Sequence, residues 1–491
     1  MIQINNLETI EAKDISMLLE KVNPILNKRK KLYYERYKRL ATSSDMFSSN
    51  DEMVKVALES YIADIATGYF GGKEPKYEVM QTQDENKKSI LGRIFKKLFN
   101  NEDYKKEMEI LIQYISDYND DSTVHLELVR DYFIKTACYC IHYENEDNEI
   151  VYAPLDALQT VAIWDYETPC NLIGLFRTWE ETQENNKSIT VVEITDKNGT
   201  RTYKQTTNKK GYEEQAELFK NNNWGDVPAF AIEQPDGIAI FESVISLIDA
   251  YQRVIQNARN TFQYNDDAKL KVTGYTPQHS LTTIDDNGNV ISNPEREEED
   301  RILLESKVFY TPDKDGDIEW IEKTVQDGAS TNHKKTLMDL ISMISGVPNM
   351  SDLGFTNADN ASAIDRKFFN LEQKIALADK LFKKAYLRRW ELIFGRINLK
   401  KNTKYDFRDV KVKLYRNLPT DKYTETSSAL GLRGLLSDET IIDMLPYELD
   451  PISEINKKDK LVETNIENNI NNIQNITKSI DEKEIEEQEE A

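Results

Sequence analysis

The chain is short of the residue types on which most catalysis and metal binding depend. It has three cysteines (Cys138, Cys140 and Cys170) and four histidines (His125, His142, His279 and His333) in 491 residues. An odd number of cysteines without a paired framework excludes a disulfide-stapled fold and predicts a reducing compartment. Cys138-Tyr139-Cys140 with His142 has a single residue between its thiols and no second cluster to complete four ligands, so Cys138 is expected as a buried position on a helix. No Ser or Cys sits in a nucleophile elbow. Positive charge is scarce as well: 63 Lys and Arg face 86 Asp and Glu, a net charge of −23. Clasping nucleic acid requires cations that neutralise phosphates, which disfavours a DNA-gripping protein. An acidic wall that DNA slides past has the opposite requirement, because repulsion reaches about 8 Å at physiological salt. Also missing is any apolar run near the roughly 18 residues that cross a bilayer. The opening Met1 to Glu8 lacks the basic-then-apolar pattern of a signal peptide, so a soluble chain that is not exported by the usual route is expected.

What is present is enough for a sizeable core: 39% hydrophobic residues, with 25 Tyr and 17 Phe. The pattern predicts an α+β chain of several modules. Apolar residues three and four apart at Ile15, Leu18, Leu19, Val22 and at Val54, Leu58, Ile62, Ile65 predict helices, the second stopping before Gly68 and Gly71-Gly72. Two more amphipathic helices are expected from Tyr104 to Cys140. Between Glu149 and Phe230 the period shifts to two, and Asp196-Lys197-Asn198-Gly199 marks a hairpin, so this stretch is expected as an antiparallel sheet. Ile240 to Asp266 returns to helix, and Lys269 to Gln326 reads as a small α/β or β insert before a second helix, Ala329 to Ile344. A long helix from Ser362 to about Ile397 carries Ile364, Phe368, Leu371, Ile375, Ala378, Phe382 and Ala385 at a 4-3-4-3 spacing, which makes a narrow packing seam. A strand near Val410 to Leu414, short helices around Tyr423 to Leu436 and Asp438 to Leu445, and an acidic tail expected to be disordered complete the chain.

Two stretches approach ligand-binding motifs and miss. Gly68-Tyr69-Phe70-Gly71-Gly72-Lys73-Glu74 is too short between its first Gly and the Gly-Lys pair, has Glu where a P-loop needs a hydroxyl, and follows a helix rather than a strand. It reads as a structural turn. Asp313-Lys314-Asp315-Gly316-Asp317-Ile318-Glu319 has the carboxylate density of a calcium loop, but its Gly comes too early, and it reads as a hairpin turn.

The order of local sequences from about Asn50 to Asp459 resembles the portal proteins of long-tailed bacteriophages. Tyr61 to Gly72 looks like that family's early helix with its "GYF-small-G" ending. Pro154-Leu155-Asp156 with Val161-Ala162-Ile163-Trp164-Asp165 is similar to its proline, acid and apolar strand, and Trp224-Gly225-Asp226-Val227-Pro228-Ala229-Phe230 to its "G-x-(I/V)-P" strand. Phe241-Glu242-Ser243-Val244 through Tyr251 is the most telling stretch. Leu270 to Gly274 matches a strand ending in Gly, and Val347-Pro348-Asn349-Met350-Ser351-Asp352-Leu353-Gly354-Phe355 matches "(V/T)-P-(D/N)-x-S-D-x-x-F". Asn360-Ala361-Ser362-Ala363-Ile364 departs from the family's Asn-x-Ser-Gly-x-Ala, and Ala favours straight helix over the kink a Gly permits.

The resemblance implies an elongated subunit of a ring, with a wing (1–240), a first stem helix (241–268), a clip (269–326), a second stem helix (327–348), a tunnel loop (349–361), a long helix and strand returning to the wing (362–419), a crown (420–475) and an acidic tail (476–491). It implies a structural protein with no catalytic residues, metal or cofactor. Its partners would be further copies of itself, usually twelve to a ring, double-stranded DNA without sequence preference, the terminase large subunit, the major capsid and scaffolding proteins, and the head-to-tail adaptor. Its place would be the portal vertex of the virion, reached from the host cytoplasm. Stem packing is expected at Ile245, Ile248, Tyr251, Leu337, Leu340 and Ile344. DNA would meet Asn349, Ser351, Asp352, Thr356, Asn357, Asp359 and Asn360, and Lys334 and Lys335 would form a sparse basic ring, the alternatives being a solvated surface or intersubunit ion pairs. An oligomeric scaffold with a coiled-coil stalk, or an acidic metal-dependent phosphoryl or nucleotidyl transferase, are the competing readings of the residues alone.

Overall fold

The computed structural model describes residues 2–5, 7, 10–38, 55–80, 101–182, 188–206, 211–266, 269–273, 277–284, 289–305, 308–311, 317–321, 327–350, 361–417, 422–443, 445, 454–455, 457–458 and 460–461. The architecture is α+β. Its contacts divide the chain into two units, Met1–Met350 with Phe368–Asn417, and Ser351–Lys367 with Leu418–Ala491.

In the first unit, β1 (Ile2–Gln3) and α1 (Ile15–Lys31) lie on a sheet built from β5 (Thr160–Trp164), β6 (Leu172–Thr182), β7 (Ser188–Thr195) and β8 (Gly199–Gln205). The short β9 (Tyr212–Glu214) and β10 (Lys220–Asn221) both pair with β8. The strands from β5 onward are antiparallel, as the sequence predicts, and the β7–β8 turn is held by Asp196, whose Oδ1 accepts from the amides of Asn198 (2.8 Å) and Gly199 (3.0 Å). β1 breaks the pattern by pairing parallel to β5, Ile2 opposite Ile163.

Alternation along the central strands sorts two cores. Val161, Ile163 and Phe176 face Ile15, Leu18, Val22 and Leu26 of α1. Ala162 and Leu175, one residue out of phase, join Ala137, Tyr139, Val227 and Ala229. The central strands are thus buried on both faces.

The second core includes another sheet, β11 (Ala229–Glu233), β3 (Ala137–Glu144) and β4 (Ile150–Leu155), ordered β11-β3-β4. Cys138 and Cys140 therefore sit in a strand, which corrects the helical expectation. The preceding helix α4 (Asp121–Lys135) ends at Thr136, whose φ of 66° is left-handed, and the chain enters β3 directly. Ala137 to Cys140 are all buried, so the run carries no alternation to set it apart from buried helix. Val151-Tyr152 belongs to this sheet too, so the stretch from Glu149 to Phe230 is divided between two sheets where the sequence predicts one.

Beside the sheets pack α2 (Leu58–Gly71), α3 (Asn101–Tyr118), α4 and the long α8 (Ala361–Lys401). α2 runs through Gly68, where the sequence predicts a stop. The end of the helix packs closely enough that a Cβ at Gly71 would meet Val129 at 3.1 Å. The seam of α8 is buried at Phe368, Leu371, Ile375, Ala378, Phe382 and Ala385. Tyr69 stacks on Phe368 with centroids 5.0 Å apart, and Phe70 and Tyr132 meet Phe382 edge-on at 5.3 and 5.5 Å, the geometry that aromatic quadrupoles favour. β2 (Lys76–Val79) pairs antiparallel with β17 (Val410–Lys413).

The insert from 269 is an α/β module. β12 (Lys269–Thr273) lies between β15 (Val308–Thr311), parallel, and β16 (Asp317–Ile321), antiparallel. A parallel neighbour needs a crossover, and the charged run supplies it as α6 (Pro294–Glu305), where Arg301 bonds Glu298 and Glu305 one turn away on either side. β13 (Thr282–Ile284) and β14 (Val290–Ser292) form a separate ribbon.

In the second unit the first residues of α8, α9 (Lys422–Gly431) and α10 (Asp438–Asp443) are helical. Ser437 caps α10, its Oγ accepting from the amide of Thr440 at 3.3 Å. The expected loop at 351–360 and the expected tail at 476–491 lie outside the described residues, as does the turn at 312–316.

Candidate functional site

The insert is carried on α5 (Ile245–Asp266) and α7 (Asp327–Ser345), which pack against each other. α5 begins from a short 3-10 turn, Glu242–Val244, that is tied down on both sides. Glu242 accepts from the amide of Ala239 (3.0 Å) and pairs with Lys28 (3.0 Å), and Lys28 also donates to the carbonyl of Gly237 at 2.7 Å. Along α5, Val244, Ile248 and Gln252 mark the buried end, and nothing from Arg253 to Thr261 is buried. α7 mirrors this: nothing from Gly328 to Thr336 is buried, whereas Leu337, Ile341 and Ser345 are. The two helices are thus rooted at the start of one and the end of the other, and their free halves carry the insert away from the core. Val254, Ile255 and Ala258 remain half-exposed on the free half of α5, an apolar side that a single chain does not cover.

Of the expected packing residues, Ile248 and Leu337 are buried, Ile245, Tyr251 and Leu340 are half-buried, and Ile344 is 37% exposed. Val244 and Ile341, outside the expected packing set, are buried as well and complete the rooted ends. Both were legible from their spacing of four from Ile248 and Leu337. Lys334 is half-buried and Lys335 exposed, and neither forms an ion pair among the described residues.

The root of α5 borders a polar cleft of about 460 Å³ lined by Glu35, Arg36, Asp249, Gln252, Arg253, Gln256 and Asn257. Arg36 grips Asp249 through two bonds of 2.8 and 3.2 Å and lies 3.7 Å from Glu59. The hydrogen bonds to Asp249 raise the pKa of the guanidinium further, and the arrangement is that of a structural clamp.

α7 ends at Gly346, whose φ of +78° suits glycine. The chain is fixed once more at residues 348–350: the hydroxyl of Tyr61 donates to the carbonyl of Pro348 (2.9 Å) and accepts from the amide of Met350 (3.0 Å). Asn349 is half-buried there, while Ser351, Asp352, Thr356, Asn357, Asp359 and Asn360 lie outside the described residues. No sequence signal distinguished Tyr61 from other aromatic positions on α2.

Cys138, Cys140, His125 and His142 are set deep in the packing, whereas Cys170 and His279 are half-buried and His333 is exposed. Burial pushes the thiol of Cys140 up to about 12, and desolvation lowers His125 to about 4 and His142 to about 3, the latter aided by Arg389. Gly68 to Gly72 end a helix, with no strand before them. Among the described residues no group of three or more His, Cys, Asp or Glu is placed to hold a metal, and no helix is long and apolar enough to cross a membrane.

No curated protein matches the chain. A solved chain from a structure described as "Neck of native GTA particle computed with C12 symmetry" is similar at 12% identity and a TM-score of 0.30, covering 66% of this chain and 80% of its own. The family model for "Phage portal protein, SPP1 Gp6-like" matches residues 3–483. With that match running through both helices, the insert they carry and the modules on either side, the chain belongs to the phage portal protein family, whose members form the channel for double-stranded DNA at one vertex of the capsid.

Proposed function

We propose that copies of this chain close into a ring, twelve in number as is usual for such channels, with α5 and α7 as the stem, the 269–326 insert as the clip, residues 349–361 as the tunnel loop and 420–475 as the crown. The reading is supported above all by the half-exposed apolar side on the free half of α5, which needs neighbours to cover it. Ile245, Ile248, Tyr251, Leu337, Leu340 and Ile344 would pack the stem around a bore that one duplex fills.

Its work is mechanical. Asn349, Ser351, Thr356, Asn357 and Asn360 would present neutral polar groups to passing phosphates, while Asp352 and Asp359 repel them, and no Arg lies in that loop to hold them. Lys334 and Lys335 would add a sparse basic ring on the stem. The clip would dock the terminase large subunit during packaging in the host cytoplasm and the head-to-tail adaptor afterwards, and the wing would meet capsid and scaffolding proteins. The protein has no catalytic role in this scheme; the motor chemistry belongs to its partner. Deleting Met350 to Asp359 tests the loop assignment: heads should assemble but fail to fill or to retain DNA, and normally filled heads would refute it.

A further inference from the structure

For so acidic a chain, the outer face of α8 has an unusual composition. Phe369 and Leu377 are 60% and 50% exposed, and Lys374, Lys380 and Lys384 are exposed alongside them at helical spacing. The three lysines make no ion pair among the described residues. The acids nearest that face are already engaged, Arg416 binding Glu372 at 2.8 Å and Asp379 at 3.0 Å. The result is an uncompensated basic and apolar strip.

α3 carries its counterpart. Ile110, Tyr114 and Tyr118, spaced by four, are 69%, 51% and 48% exposed, and the two tyrosines stack at 6.2 Å. The turn after β3 folds against this strip, Asn145 donating to the hydroxyl of Tyr118 at 2.8 Å, and Glu149 beside Tyr114 raises its phenol pKa. That turn contributes exposed Glu146 and Asp147, and α3 itself contributes exposed Glu107 and Asp117.

Both helices root in common elements of the first unit. α8 reaches β2 through the contact of Trp390 with Tyr77 at 5.1 Å, and α4 through Arg389 with Asp121. α3 packs on the same β2 and α4. α3 and α8 thus pack on common elements, and each keeps an outer face that the chain itself leaves exposed. Two distinct, complementary faces on one chain are what a heterologous, ring-closing contact requires.

We infer that the Phe369–Lys384 face of α8 in one subunit seats on the Ile110–Tyr118 face of α3 and the adjoining Glu146-Asp147 turn of the next. Lysines would lie among carboxylates and over tyrosine rings, where cation–π attraction adds to charge pairing, while Leu377 and Phe369 cover Ile110 and Tyr114. A phosphate-binding role for the lysines is disfavoured by the two large apolar side chains among them, which nucleic-acid backbone does not cover. The inference rests on the ring proposed above.

Charge reversal tests it. Lys380→Glu with Lys384→Glu, and separately Glu146→Lys with Asp147→Lys, should each weaken ring assembly by at least about a hundredfold in native mass spectrometry, with circular dichroism unchanged because all four positions are exposed. The chain carrying all four substitutions restores the complementarity and should form rings again. Rings in wild type and in both double variants would overturn this contact and leave the ring reading standing. No rings in wild type would overturn the ring reading, and the contact with it. Wild-type binding of a random-sequence duplex that Lys380→Glu with Lys384→Glu abolishes while rings persist would assign the face to nucleic acid and refute the subunit contact.

Discussion

Asp121→Asn removes the charge that compensates Arg389. The guanidinium is fully buried and Asp121 is 6% exposed, so water replaces nothing that is lost. Around the cation, the ring centroids of Tyr152 and Tyr386 lie 4.1 and 4.6 Å from the guanidinium carbon, and Tyr77 donates to Asp121 at 2.6 Å. Those rings are present with or without the carboxylate, so they do not offset its loss. Breaking a buried pair from one side costs about 3–5 kcal/mol. The amide oxygen of Asn can still accept one hydrogen bond, which places the expected loss near the lower end, about 3 kcal/mol. Urea denaturation followed by tryptophan fluorescence should show a lower midpoint at an unchanged slope. Replacing both partners, Asp121→Leu with Arg389→Met, removes the stranded charge and should cost less than the single change. A single variant within about 1 kcal/mol of wild type, or a double variant less stable than the single, would refute the reasoning.

Acid should weaken the fold through its buried histidines. His125 and His142 have folded-state values of about 4 and about 3, lowered first by burial, whereas in an unfolded chain they titrate near 6.5. The unfolded state therefore binds more protons below about pH 6.5, and stability is lost progressively as pH falls toward those folded-state values. At pH 5 each histidine accounts for about 2 kcal/mol, and a urea midpoint that does not move between pH 7 and pH 5 would contradict this. Tyr61→Phe deletes the hydroxyl that holds both Pro348 and Met350, and hydrogen exchange at the Met350 amide should quicken about tenfold; unchanged exchange would show that the loop is anchored elsewhere.

How much could be read in advance follows from where each signal resides. The helices α5 and α7 and the α8 seam were legible because one buried side against one exposed side writes a 3.6-residue period into the chain, and the Asn198-Gly199 turn because its side-chain chemistry is local. Ala137 to Cys140 were misread because burial on both faces erases alternation. β1 was invisible since two residues carry no period, and its parallel partner lies some 160 positions away. The Arg389–Asp121 pair, 268 residues apart, and the Tyr61 anchor to Pro348, 287 apart, depend on tertiary proximity that no window of sequence contains. The exposed basic and acidic positions of α8 and α3 were present in the residues but acquired meaning only once the fold separated exposed positions from buried ones.

Electron microscopy of the purified chain tests the central claim most directly. Annular particles with an open central hole wide enough for one DNA duplex are expected, their insert-bearing helices gathered around that hole. Compact single subunits at every protein and salt concentration, with no annular particles, would contradict the account.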